Sequence, residues 1–315
     1  MNRSTVVLSL FVSVAFLGAC QASPTPAPVS GAASSAAGSA PASVPSGAVQ
    51  ESAPAGLPGT LSVLTFEPGK AITLLRRGQS VSFGAAGNGD MLPVPSPDGR
   101  HLALVRSPDP GVVAPGDLVV VEAGGQRHVL ARQVIGGGGN APAWTPDGKA
   151  VVHGGVRYDV SGGGHAGAGL TGNPAYLTYS VGGATLAYAT SSNSIIVAPA
   201  GGGAKRVVDI SKLAECSLRA ACPFAVQAVS DDGRYVALGS GNTDPSNVTE
   251  AHLVLDTSSG KPVDLAAFGD VQHIWFTASG GAIVHTARDL RVVDAAWHVT
   301  GTFPAPGNGK LFYTA

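Results

Sequence analysis

Short apolar segments alternate with glycine-rich turns along residues 59–315, and one turn pattern recurs. The clearest copy is "PSPDGRHLALVR", in which a Ser-Pro-Asp-Gly turn leads directly into an apolar strand. Pro97 presets φ for a type I turn, Asp98 can bond back to the local backbone, and Gly99 can take the left-handed conformation that closes a hairpin. The pattern therefore predicts a strand, a tight turn and a second strand.

The same turn recurs at five further places in the chain. The third residue after the turn glycine is apolar in every copy, and the fourth is alanine or valine in five of the six copies. A strand with apolar residues on both faces is covered on both sides, as in stacked sheets. The glycines that align the six copies are Gly99, Gly148, Gly183, Gly233, Gly280 and Gly309.

The spacing of these glycines predicts repeated units of four strands. Four of the five intervals span 35 to 50 residues, and four-stranded propeller blades typically run ~40–50 residues. A second apolar segment that ends in a small-residue turn follows several of the turns, as in "LVVVEAGG" from Leu118 and "LVLDTSSG" from Leu253. Each unit is therefore predicted as an inner strand, the repeated turn, a second strand, a third strand and an outer strand.

The two ends of the repeat region predict that the ring of units closes on itself. The last unit ends six residues after Gly309 and has inner strands but no outer ones, whereas Gly59 to Arg77 holds "LSVLTF" and "AITLL" and no inner strands. We predict an all-β fold, a six-bladed β-propeller in which N-terminal strands complete the C-terminal blade. The interval of 29 residues before Gly309 is short, so five or seven blades remain alternatives.

The repeated segments resemble those of TolB-type β-propellers, whose units carry the signature W-S-P-D-G-x-x-[IL]-A-[FY]. "AWTPDGKAVV" is the closest match and "VPSPDGRHLAL" the next, whereas "SVGG" and "TASG" lack both Pro and Asp. The resemblance covers Gly59 to Ala315 and implies the propeller fold. It implies little about activity, because propellers serve many unrelated functions.

The first 58 residues predict export and attachment to a membrane. Val6 to Leu17 form a short apolar run behind Arg3 and end in "LGAC", which resembles the lipobox of bacterial lipoproteins. This resemblance implies cleavage before Cys20 and lipidation of its thiol; the alternative is a plain secretory peptide. The predicted divisions are a signal peptide (1–19), the lipidated cysteine with a disordered Ala/Ser/Pro tether (20–58) and the propeller (59–315).

The remaining cysteines and the charge balance narrow the class of protein. In an exported chain Cys216 and Cys222 predict a local disulfide, and metal binding is the alternative, although two thiolates with no neighbouring histidine make a poor zinc site. The net charge of −1 and the 12% of charged residues argue against nucleic-acid binding. No cofactor is predicted, and the domain is expected to be monomeric.

Histidines and aromatic residues on predicted strands are the candidate site residues. His153 and His285 each lie five residues after a turn glycine, and they would bind a metal or act as a base if they faced the axis; packing between blades is the alternative. Trp144, Tyr176 and Trp275 fall on predicted inner strands, where they could form an aromatic floor for a ligand or fill the wedge between blades. The repeated aspartates, Asp98, Asp147 and Asp232, are explained by turn geometry.

The sequence contains no nucleophile elbow, HExxH motif or Walker loop. We therefore predict a non-enzymatic module of the bacterial cell envelope, extracytoplasmic and held at the membrane by its N-terminal lipid, that binds an envelope protein or a small ligand. The alternative is a propeller-type hydrolase or sugar oxidoreductase with its site at the central axis.

Overall fold

A computed structural model describes residues 56–109, 114–137, 139–190, 193–213, 224–240, 251–307 and 309–314. These residues form 24 strands and one short 3-10 helix, Ala266–Phe268. The predicted signal peptide, the lipidated Cys20, nearly all of the tether, and Cys216 and Cys222 lie outside the described residues.

The strands form six antiparallel sheets of four strands each. In chain order the first twelve are β1 Thr60–Thr65, β2 Ala71–Arg76, β3 Gln79–Ala85, β4 Asp90–Pro95, β5 His101–Arg106, β6 Pro115–Glu122, β7 Arg127–Ile135, β8 Ala143–Trp144, β9 Ala150–His153, β10 Val156–Asp159, β11 His165–Gly167 and β12 Ala175–Tyr179. The others are β13 Thr185–Thr190, β14 Ser194–Pro199, β15 Arg206–Asp209, β16 Phe224–Val229, β17 Tyr235–Ser240, β18 Ala251–Asp256, β19 Lys261–Val263, β20 Val271–Phe276, β21 Ala282–Thr286, β22 Asp289–Val293, β23 Val299–Pro304 and β24 Lys310–Thr314.

Each sheet is one blade of a six-bladed β-propeller, which confirms the predicted fold class. Blades 1 to 5 comprise β4–β7, β8–β11, β12–β15, β16–β19 and β20–β23, each ordered along the sheet as along the chain. Blade 6 has the order β24-β1-β2-β3. The first strand named in each blade is its innermost strand, and blade 6 joins the two ends of the repeat region.

The predicted ring closure is confirmed, but the expected division of strands between the two chain ends is wrong. The structure takes one strand from the C-terminal end and three from the N-terminal end, where the sequence pattern suggested two from each. Gly309 therefore precedes an innermost strand and does not follow one. Its φ of 150° also differs from the 68–85° of the other five aligned glycines. This position explains the short interval between Gly280 and Gly309. It runs from the turn after one innermost strand to the start of the next innermost strand, so it is less than a full blade repeat.

The third N-terminal strand was missed because it is the outermost strand of its blade. The β3 sequence "QSVSFGA" has one fully buried residue, Phe83, and its remaining positions are exposed or partly buried. An outermost strand packs on one side only, so it carries a weak apolar signal. The predicted order of strands within the other five blades agrees with the structure.

The strands that follow the repeated turns are covered on both faces, as predicted. In blades 1 to 5 the aligned large residues are at most 6% exposed and the aligned small residues at most 2% exposed. In four of these five blades the large and the small residue belong to two different hydrophobic clusters, so the strand contributes to two cores. The large residues are Leu102, Val151, Leu186, Val236 and Ile283, and the small ones are Ala103, Val152, Ala187, Ala237 and Val284.

The repeated aspartates hold the turns together. Each carboxylate accepts a hydrogen bond from the hydroxyl two residues before it and from the backbone N–H two residues after it. The donor pairs are Ser96 and Arg100 for Asp98 (2.5 and 3.0 Å), Thr145 and Lys149 for Asp147 (2.7 and 3.1 Å), and Ser230 and Arg234 for Asp232 (2.6 and 2.9 Å). The bonds from Thr145 and Lys149 lower the pKa of Asp147 below its ordinary value. These three residues therefore have a structural explanation.

Replacement of one turn carboxylate is expected to destabilise the fold in a pH-dependent way. Asp147→Ala should lower the free energy of unfolding at pH 7 by up to about 1 kcal/mol, because the bonds it loses are largely exposed. The folded-state pKa is depressed, so the contribution is fully present above the unfolded pKa of about 4 and is lost progressively as the pH falls through the folded-state pKa. Urea unfolding at pH 7 and pH 3 measures the difference.

The exposed Asp270, which has no hydrogen bond or ion pair within the described part of the chain, provides the control. Asp270→Ala should leave stability unchanged at both pH values. An equal loss for Asp147→Ala at pH 7 and pH 3 would contradict the role given to its carboxylate.

Candidate functional site

A cavity of about 590 Å³ lies where the innermost strands of all six blades face one another. Ligand pockets of proteins commonly have volumes of roughly 300–1,000 Å³, so the cavity is large enough for a small organic molecule. Its walls come from β4, β8, β12, β16, β20 and β24 and from the turns at the ends of several of these strands. We call it the axial cavity.

The axial cavity has two chemically different ends. Because the blades repeat, their innermost strands run in the same direction, and β24 begins at one end with Lys310 and finishes at the other with Thr314. Arg76 Nη2 donates a hydrogen bond to Thr314 Oγ1 over 3.1 Å. A strand rises about 3.3 Å per residue, so the backbones of Lys310 and Thr314 are roughly 13 Å apart along the axis.

The charged side chains that border the axial cavity are basic. They are Arg76 and Lys310, and none of the described lining residues is an aspartate or a glutamate. Burial lowers the pKa of Lys310, and its Nζ lies 5.3 Å from the centroid of the Phe312 ring. The cavity is therefore an apolar and aromatic space that contains positive charge.

His273 lies on β20 near Lys310, is partly exposed and borders the cavity. Burial, with smaller contributions from His285 and Lys310, lowers the pKa of His273 to about 3. Its ring centroid is 4.4 Å from that of Trp275. The imidazole is therefore neutral at physiological pH, and it presents a hydrogen-bonding surface without a charge.

The two candidate tryptophans border the cavity and also fill the wedges between blades. Trp144 is 6% exposed and its Nε1 donates to the Val94 carbonyl over 2.9 Å, which connects blade 2 to blade 1. Trp275 is 8% exposed and packs with Leu61 in the core between blades 5 and 6. Both lie on innermost strands, as the sequence predicted. Their contact with a ligand stays a prediction.

The third aromatic candidate, Tyr176, is in a constrained backbone conformation. Its φ is 54°, in the left-handed region, and its N–H donates to the Gly139 carbonyl over 2.7 Å. Non-glycine residues in this region are uncommon and often lie at functional sites. The side chain borders the axial cavity, and burial raises the pKa of Tyr176.

The two candidate histidines do not come together. His153 lies on β9 of blade 2 and is 5% exposed, whereas His285 lies on β21 of blade 5, opposite His273 in the strand register. Burial lowers the pKa of both His153 and His285. Within the described ranges, no three His, Cys, Asp or Glu side chains form a group that could hold a metal ion.

The sequence patterns missed Lys310 and Arg76. Lys310 starts the segment "KLFYT" directly after a glycine turn, where a lysine ordinarily marks a solvated strand end. Arg76 is the last residue of β2, which the pattern placed away from the axis. Neither residue stands out in the amino-acid sequence, because both reach the cavity only when the ring of blades closes.

The fold and the axial cavity define the protein as a six-bladed β-propeller. No protein-family model matches the chain, and no curated protein matches its sequence. Among solved structures it is similar to TolB from Acinetobacter baumannii (14% identity, TM-score 0.47), with 80% of this chain and 65% of that chain covered. The chain thus spans slightly less than two thirds of that TolB.

Two other solved structures are similar at the same level. One is the periplasmic gluconolactonase of Pseudomonas aeruginosa (15% identity, TM-score 0.43), with 82% of this chain and 85% of that chain covered. The other is a prolyl endopeptidase (12% identity, TM-score 0.44), with 79% and 43% covered. Identities this low carry no information about activity.

Across the described residues, no helix has the length and apolar character needed to cross a membrane.

Proposed function

We propose that the protein is a binding protein of the bacterial cell envelope that holds a small organic ligand in its axial cavity. The observation that carries this proposal is the cavity itself, with about 590 Å³ of space bordered by strands of all six blades. Apolar and aromatic walls with a few polar groups are typical of ligand sites. The walls include Trp144, Tyr176 and Trp275, which would supply contact area to a bound molecule.

The contacts within the cavity favour binding over catalysis. A hydrolase would need a nucleophile or a water held by an acid–base pair, and the described lining residues include no carboxylate. His273 is neutral, and its neighbours are the Trp275 ring, the cross-strand residue His285 and Lys310. A propeller-type hydrolase or sugar oxidoreductase remains the alternative, but no observed contact favours it.

The location of the protein is proposed from its first residues. The apolar run before "LGAC" supports export, and lipidation of Cys20 would hold the chain at a membrane by more than one acyl chain, which anchors durably. A tether of roughly 38 residues would extend over ~35 Å as a flexible chain. The propeller would then bind its ligand a few nanometres from the bilayer.

Occlusion of the axial cavity provides the test. Thr178 is partly exposed and borders the cavity, and its hydroxyl donates to the Tyr179 carbonyl (3.4 Å), so Thr178→Trp places a large side chain at the cavity wall. The full chain is screened by ligand-detected NMR against neutral, anionic and cationic small molecules. Molecules that bind the wild type are expected to lose at least about tenfold in affinity with Thr178→Trp.

The matched control is Thr302→Trp, which places the same side chain on the exposed outermost strand of blade 5. Thr302→Trp is expected to bind like the wild type. Absence of any wild-type binder, or binders that tolerate Thr178→Trp, would contradict the proposed function.

A further inference from the structure

The ammonium group of Lys310 is the least compensated charge that borders the axial cavity. Lys310 is the first residue of β24 and lies opposite Leu64 of β1, so its backbone is fixed by the sheet that closes the ring. Its side chain is enclosed by protein and keeps only partial exposure. Its Nζ lies over the Phe312 ring, 5.3 Å from the ring centroid.

No acidic group neutralises Lys310 within the described ranges of the chain. None of the ion pairs in those ranges includes this lysine, and burial is the cause of its lowered pKa. Buried charges in proteins are normally paired, and an unpaired one is costly. An anion in the cavity would supply the missing partner and would be bound more tightly for that reason.

The other basic end of the cavity is already partly satisfied. Arg76 donates to Thr314 Oγ1, and the negative charge of Asp98 acts on its guanidinium. Lys310 has no comparable partner among the described residues. A bound anion would therefore be stabilised most at the end of the cavity where β24 begins. A single ammonium with no arginine fork beside it suits a monovalent carboxylate better than a phosphate, which usually requires several donors.

The surroundings of Lys310 indicate the rest of the ligand. Phe312 lies beneath the ammonium group, and Tyr176, His273 and Trp275 also border the cavity. Neutral His273 can donate or accept a hydrogen bond without competing for the anion. Aromatic walls favour a flat or apolar body behind the charged group.

We propose that the axial cavity selects small organic carboxylates with an apolar or aromatic body, and that Lys310 forms the ion pair with the carboxylate. This inference rests on the proposed function, because it names the ligand class of the same cavity. It assigns Lys310 as a specificity-determining residue.

Three probes that share one benzyl group test the charge preference. Phenylacetate, phenylacetamide and 2-phenylethylamine are titrated against the full chain by ligand-detected NMR at low salt. We expect the acid to bind at least about tenfold more tightly than the amide, since a desolvated ion pair exceeds a neutral contact. The amine should bind most weakly, because Lys310 repels it.

Variants of Lys310 test whether its ammonium group causes the preference for the acid over the amide. Lys310→Met keeps most of the apolar stem and should reduce the acid-to-amide ratio to about one, whereas Lys310→Arg retains the charge and should keep a preference for the acid. The control is Lys261→Met, at an exposed lysine that begins β19. This variant should leave the acid-to-amide ratio unchanged. Replacement of an enclosed, unpaired charge by an apolar side chain commonly preserves stability, and a urea transition verifies folding.

The outcomes separate the two proposals. An acid-to-amide ratio near one in the wild type, tighter binding of the amine, failure of all three probes to bind, or a preference that survives Lys310→Met would each overturn the carboxylate assignment. The proposed function fails only if small molecules of every charge class are unaffected by Thr178→Trp or do not bind at all.

Discussion

A chain that lacks residues 310–315 is expected to lose its cooperative unfolding transition. The deletion removes β24, the innermost strand of blade 6, which pairs with β1 over five residue pairs. Leu61 and Leu64 of β1, each 1% exposed, would lose the strand that covers them, and β1 would become an unpaired edge. Because this pairing joins the two ends of the repeat region in one blade, we expect its loss to weaken the packing of blade 6 against its neighbours.

Near-UV circular dichroism and urea unfolding of the full and truncated chains measure this effect. Removal of Ala315 alone, which leaves β24 intact, is the control and should unfold like the wild type. A truncated chain with a wild-type midpoint and slope would contradict closure of the propeller by one C-terminal strand.

Asp90→Asn is expected to destabilise the folded protein by about 2 kcal/mol, since it removes the charge of a buried carboxylate that is paired with two partly exposed arginines. The Asp90 side chain is fully buried and accepts from Arg106 Nε (2.9 Å), Arg127 Nη1 (2.8 Å) and the backbone N–H of Gly87 (2.8 Å). Arg127 also donates to the Ala85 carbonyl over 2.7 Å. The network thus connects three strands of blade 1 to the outermost strand of blade 6.

A second ion pair in blade 1 gives a matched comparison for Asp90. Asp117 and Arg132 are 3.7 Å apart, and their side chains are 30% and 75% exposed, so Asp117→Asn should cost less than about 1 kcal/mol. Urea midpoints of both variants at pH 7 test the difference. Similar losses for Asp90→Asn and Asp117→Asn would show that burial of the Asp90 network contributes little.

The repeated turn made the fold predictable from the sequence. Its glycine needs a positive φ and, in three of the blades, its aspartate bonds to neighbouring residues, so both requirements are local. The division of strands at the closure was not predictable in the same way. Gly309 has the spacing of a blade turn, but the pairing of β24 with β1 is a contact between residues about 250 positions apart, which a local pattern does not encode.

The candidate site was predictable only in part. Trp144, Tyr176 and Trp275 were placed on innermost strands because each precedes a repeated turn, and the structure agrees. Lys310 could not be found this way, because its segment was assigned to a second strand, whereas the structure makes it an innermost strand that borders the cavity. The position of this lysine beside the cavity therefore depends on closure of the ring.

A crystal structure of the full chain with phenylacetate would locate the ligand and its carboxylate. We expect the ligand in the axial cavity, among the innermost strands of the six blades, with a carboxylate oxygen about 3 Å from Lys310 Nζ. Phenylacetate bound on the outer face of a blade or on the rim loops, with the axial cavity free of ligand, would contradict this expectation.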